Sequence, residues 1–133
     1  MVKICLVHDL AEAVAGDITP YDGVTKEQKR ELEEQALNKI LQELQHDTLA
    51  AELKELWLEY ENGSCTEAIV AKQLDKFEMI VQANEYELAH PDKRLDSFFE
   101  STRDSFSHPE VLSWAEELRT QRERRLADAS GNS

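Results

Sequence analysis

Glycine and proline are scarce in this chain, four and three among 133 residues. That excludes a collagen-like or turn-rich all-β architecture and leaves room for long unbroken helices. Cysteine is scarcer still. Two thiols, Cys5 and Cys65, cannot build the disulfide framework of a small secreted domain, and the usage suits a reducing cytoplasm. Cys5 lies in an apolar stretch and reads as a small core residue. No apolar run is long enough to span a membrane, because His8, Asp9 and Glu12 interrupt the first one, and no signal peptide is recognisable. Positive charge is also short. Fifteen Lys and Arg against 28 Asp and Glu give a net charge of −13. A surface of that sign lacks the basic face that DNA, RNA or an anionic membrane requires.

What remains is a helix-forming sequence. A hydrophobic fraction of 41% and a charged fraction of 32% fit one globular domain with a single core. No strand alternation is evident, so the expected fold class is all-α. Apolar residues from Ile4 to Val14 predict a helix over 2–15, apolar around most of its surface and central to the core. Gly16 ends it, and Pro20 with Tyr21-Asp22-Gly23 marks a turn. Thr25 and Gln28 predict a capping box opening a helix to about residue 44, striped by Leu32, Ala36, Leu37, Ile40, Leu41 and Leu44. The charges from Lys26 to Glu34 read as its solvated face. A helix over 48–62, capped by Asp47 or Thr48, buries Trp57 and Tyr60 along its leucine stripe. Another runs over 66–89. A short aromatic segment follows, from Leu95 to Phe106. A last helix begins at Pro109 and closes with Arg119, Arg122, Arg124 and Arg125, which read as charge balance at its end. The domain is expected over 1–127, with a disordered polar tail over 128–133.

The chemistry concentrates in Val7-His8-Asp9-Leu10-Ala11-Glu12-Ala13-Val14-Ala15-Gly16-Asp17-Ile18-Thr19-Pro20. One imidazole and three carboxylates occupy ten residues of an apolar segment. His8 and Glu12 stand at i and i+4, and Asp9 and Glu12 at i and i+3, so helical spacing lets all three converge. Buried carboxylates without a partner cost several kcal/mol each. No Lys or Arg occurs between Ile4 and Thr25. A neutral imidazole with carboxylate oxygens suits Mn²⁺, Co²⁺, Fe²⁺ or Mg²⁺. On spacing alone, a metal ion and a His-Asp hydrogen bond in a solvated groove are equally open. The dipeptide itself carries no weight: His46-Asp47 is a second copy at a helix start.

A second segment, Ala71-Lys72-Gln73-Leu74-Asp75-Lys76-Phe77-Glu78-Met79, sets an aspartate among apolar neighbours. On spacing alone, Lys72 or Lys76 would pair with Asp75. Taken in order, the His-Asp helix, Glu12, Gly-Asp-Ile-x-Pro and Lys-Gln-Leu-Asp-Lys-x-Glu-Met resemble the HD-domain metal-dependent phosphohydrolases, and among them the 5'-deoxynucleotidase branch. The resemblance extends to about Arg125.

It implies an HD-domain helical bundle and a divalent ion (Mn²⁺, Co²⁺ or Mg²⁺) bound by His8, Asp9 and Asp75. It places Glu12 and Asp17 at the acidic positions used for water activation and, with Ile18, beside a second ion. Asp17, Ile18, Thr19 and Pro20 fall where the family meets its substrate, a deoxyribonucleoside 5'-monophosphate. A cytoplasmic homodimer is implied as well. The family's first metal ligand is a histidine on an earlier helix, and none of His46, His90 or His108 stands in a matching context. The chain therefore reads as the C-terminal part of the domain, lacking its first helices. Two alternatives accompany the nucleotidase reading: a catalytically impaired short form acting as an interaction partner, and an HD phosphohydrolase with another nucleotide substrate.

Overall fold

The protein is described from a computed structural model covering residues 1–16 and 23–131. Among these residues there are helices and no strand, so the all-α expectation holds. In order they are α1 (Val2–Val7), α2 (Glu12–Ala15), α3 (Lys26–Glu43), α4 (Asp47–Asn62), α5 (Thr66–Ala89), α6 (Asp96–Ser101) and α7 (Pro109–Gly131). The chain divides into two compact units, Met1–Ala71 and Lys72–Ser133.

In the first unit, Val7, Ala11, Leu37, Leu41 and Trp57 form the main core. Ile4 packs separately with Ala68 and Ala71 at the start of α5. Trp57 is fully buried, as its place on the leucine stripe predicts. The Thr25–Gln28 capping box forms in both directions: the Gln28 amide donates to Thr25 Oγ1 at 3.2 Å, and the Thr25 amide to Gln28 Oε1 at 3.0 Å. At α4 the cap is neither Asp47 nor Thr48. His46 takes that place, its Nδ1 accepting from the Leu49 amide at 3.0 Å. A ring nitrogen at this position satisfies an orphan amide as a hydroxyl would. Gly63 closes α4 in the left-handed region, φ 58°.

The expected helix over 2–15 is instead two short helices joined by a tighter turn. Leu10, Glu12, Ala13 and Val14 donate three residues back, to Val7, Asp9, Leu10 and Ala11. Those are the bonds of a 3₁₀ turn. The His8 ring competes with the backbone, because its Nδ1 lies 2.6 Å from the Cys5 carbonyl. The segment is also less central than its composition suggests. Ile4, Val7 and Ala11 are buried, but Val2, Leu6 and Val14 are 74%, 77% and 52% exposed. Cys5 is exposed too, so it is no core residue. A stripe of three inward positions is all that this segment buries in its unit.

In the second unit, Ile80, Ala83, Phe99, Phe106, Val111 and Ala115 form the core. Gln73 ties α5 to the start of α7. Its Oε1 accepts from the Ser107 and His108 amides, each at 2.9 Å, and its Nε2 reaches Ser107 Oγ at 2.9 Å. The arginines at the end of α7 are more than charge balance. Arg122 is buried and forks onto Glu87 through Nε and Nη2 at 2.9 and 2.8 Å. Arg125 and the Leu95 amide complete the set of donors around Glu87. The tail expected from Asp128 is helical as far as Gly131, continuing α7 through Ala127 and Ala129; residues 132 and 133 lie outside the described set.

The Arg122 bonds hold the Glu87 carboxyl below the usual carboxylate range, against burial, with help from the Leu95 amide. A lowered folded-state pKa stabilises above the unfolded value and is lost as pH falls through the folded one. Arg122→Ala leaves the buried Glu87 carboxylate with only Arg125 and the Leu95 amide, and should cost about 3 kcal/mol in urea unfolding at neutral pH. That cost should shrink below the ordinary carboxylate range, where Glu87 takes a proton. A cost that does not change with pH would contradict the assignment.

Candidate metal centre

His8 is the last residue on the α1 track. Its amide donates to the Ile4 carbonyl at 2.9 Å, and its backbone is still right-handed helical. The imidazole is mostly covered, and Tyr60 packs on it at 4.8 Å between ring centres. Asp9 follows on the tight turn with its carboxylate exposed, and its Oδ2 lies 3.0 Å from His8 Nε2.

The two ring nitrogens have different partners, and that decides what the site can hold. A carbonyl only accepts, so Nδ1, facing Cys5 O, must carry a proton. In that tautomer Nε2 offers a lone pair, and Asp9 Oδ2 lies 3.0 Å from it, so a cation bound beside the ring would meet both. The backbone-anchored Nδ1 is the usual second partner of a metal-binding histidine. Nitrogen and carboxylate oxygen together fit a borderline divalent ion.

Of the remaining residues named from the sequence, Glu12 is half-buried in the first turn of α2. Asp75 is exposed on α5, in the second unit. Asp17, Ile18, Thr19 and Pro20 lie outside the described residues, as do Tyr21 and Asp22 of the expected turn.

Sequence reading missed Glu33. It falls within the run taken for a solvated face, yet it is 7% exposed, with Lys29 Nζ at 3.6 Å. The signal was available: Glu33 is three and four residues before Ala36 and Leu37, which places it on the buried stripe. Burial raises its pKa. Lys29 opposes the rise, while Glu61 and Asp9 add to it.

Among the described residues the protein is helical, and a short helix ends on an anchored histidine beside an aspartate, donors that suit a divalent ion. The chain belongs to the HD domain family, which matches residues 1–112 and implies a divalent metal. It is similar to the mouse 5'-deoxynucleotidase HDDC2, 48% identical over 130 residues, covering 97% of this chain and 65% of the relative. The human protein of the same name is also 48% identical, over 97% of this chain and 63% of the relative. The fission-yeast 5'-deoxynucleotidase hdd1 is 42% identical, over 92% and 63%. The chain thus spans a little under two thirds of the length of these relatives. No helix among the described residues is long and apolar enough to cross a membrane.

Because the folded-state pKa of Glu33 is raised, its ionised form costs stability, and the cost appears as pH rises through the carboxylate range. Glu33→Gln should therefore raise the unfolding midpoint of the metal-free protein at neutral pH and change it little near about pH 4. An equal shift at both would place the effect in packing instead.

Proposed function

We propose that His8, Asp9 and Asp75 hold a divalent cation (Mn²⁺, Co²⁺ or Mg²⁺) in a 5'-deoxynucleotidase acting on deoxyribonucleoside 5'-monophosphates. The observation that carries the reading is the pair His8 Nε2 and Asp9 Oδ2 at 3.0 Å, with Nδ1 committed to Cys5. Helical spacing supports Asp75 as the third ligand. His8 stands one turn beyond Ile4, and Asp75 one turn beyond Ala71, on the face where Ala68 and Ala71 pack on Ile4. The names of the relatives supply the substrate class.

A divalent ion, when bound, polarises a phosphoryl oxygen and acidifies water. The chain's own part is proton handling and positioning. Glu12 or Asp17 takes a proton from the attacking water as its oxygen bonds to phosphorus. The bond to the 5' oxygen breaks, and the same or the other carboxylate returns a proton to it. The products are nucleoside and phosphate. In this reading Asp17, Ile18, Thr19 and Pro20 bind the substrate, and Asp17 and Ile18 also serve a second ion. A cytoplasmic homodimer belongs to the same reading. With a net charge of −13, nucleic acid is a poor partner.

Mn²⁺ or Co²⁺ titration followed by calorimetry in buffers of different ionisation enthalpy should show saturable uptake that releases protons. Asp9→Ala or Asp75→Ala should weaken uptake by at least about tenfold, roughly 1.4 kcal/mol. Unchanged affinity in Asp75→Ala would remove Asp75 from the site. Assayed over a nucleotide panel, the metal-loaded protein should release phosphate from deoxyribonucleoside 5'-monophosphates. Release only from a triphosphate or cyclic nucleotide would favour a different phosphohydrolase. Metal binding with no release from any nucleotide would favour the interaction-partner reading.

A further inference from the structure

The second unit carries a concentration of guanidinium groups that the nucleotidase reading does not use. Arg103, Arg119 and Arg122 line a cavity of about 130 Å³ between α6 and α7, with Phe99 in its wall. That is room for about four water molecules. Arg122 stacks on the Phe99 ring, 4.1 Å from its centre, and Arg119 lies 5.9 Å from the same ring.

The three cations are not equally neutralised. Arg122 is paired with Glu87 and Asp96 through Nε and Nη2, which leaves its Nη1 hydrogens outside those pairs. Arg119 is held by neutral acceptors, the Phe99 carbonyl at 2.8 Å and Thr102 Oγ1 at 3.1 Å. Burial is the main reason its pKa falls, repulsion from Arg103 and Arg122 adds to it, and Glu123 opposes it. Arg103 is exposed and makes no ion pair among the described residues. Three carboxylates also line the cavity. Asp96 is already bonded to Arg94 and Arg122. Glu100 and Glu123 are exposed, and neither comes within 4.0 Å of a guanidinium nitrogen.

We propose that this cavity binds a phosphate group through Arg103, Arg119 and the free edge of Arg122. Planar guanidinium forks match tetrahedral oxyanions in pairs of hydrogen bonds. Arg119 and Arg122 are fixed by those bonds, so their remaining N–H groups are held in place for an oxyanion at less entropic cost than scattered surface lysines would be. The volume admits the phosphate and little else. A nucleotide would enter by its phosphate and leave its base outside. The net charge of −13 repels anions in general, so binding must come from this local cluster.

The test is arginine-edited ¹H–¹⁵N NMR of the full chain in excess chelator, which keeps any metal centre out of the readout. Orthophosphate and a deoxyribonucleoside 5'-monophosphate are titrated separately. Saturable shifts of the Arg103, Arg119 and Arg122 Nε signals are expected with orthophosphate. Equal shifts with the nucleotide would show that the phosphate group is what is read, and shifts with orthophosphate alone would confine the site to the free anion. Arg103 has no structural bonds to lose, so Arg103→Gln should fold normally and weaken binding by about tenfold. Lys39→Gln, the same charge change on an exposed lysine of the first unit, should leave it unaltered. No saturable shift with either titrant, an unchanged affinity in Arg103→Gln, or an equal loss in Lys39→Gln would overturn the proposal.

Discussion

The contact that organises the first unit is the approach of the Asp9 carboxylate to the far nitrogen of His8. Its near nitrogen is already occupied by the Cys5 carbonyl. A cation bound beside the ring would meet both side chains. The nearby sequence supplies few positive charges of its own. From Ile4 to Thr25 there is no Lys or Arg, and the neighbours Glu12 and Glu33 are acidic. Glu33 is buried nearby with Lys29 beside it, and Glu61 and Asp9 add to the rise of its pKa.

The second unit solves the same electrostatic problem in the opposite way. Glu87 is as buried as any acid among the described residues, and it is met by two arginines and a backbone amide. Its charge is settled within the chain. Arg103 and Arg119, on the Phe99 side of α7, make no ion pair among the described residues. The proposed cation site thus gathers acids in one unit, and the proposed phosphate site draws on arginines in the other. The overall charge of −13 averages over these local fields and would not reveal either of them.

Much of the fold was legible from periodicity and punctuation. The capping box at Thr25, the helix over 66–89, the start of the last helix at Pro109 and the burial of Trp57 all follow from local rules, and all stand. The departures share a cause: side chains competing for backbone groups, or pairs that form only in three dimensions. The His8 ring takes up the Cys5 carbonyl, and the first helix tightens and breaks there. The His46 ring acts as a cap where oxygen side chains were expected. Arg122 reads as one basic residue among several near a helix end, because its partner is 35 positions away. For the candidate site, the adjacency of His8 and Asp9 was plain from the sequence. The constraint that splits the roles of the two ring nitrogens was not, since it depends on where a backbone carbonyl lies.

The central claim is that the charge between His8 and Asp9 can be a metal ion held by imidazole nitrogen. Pulsed EPR on the Mn²⁺-loaded protein tests it at the atom concerned. A directly coordinated histidine nitrogen should modulate the echo, and His8→Gln should abolish that modulation. A spectrum with oxygen ligands alone, or a nitrogen signal that survives His8→Gln, would contradict it.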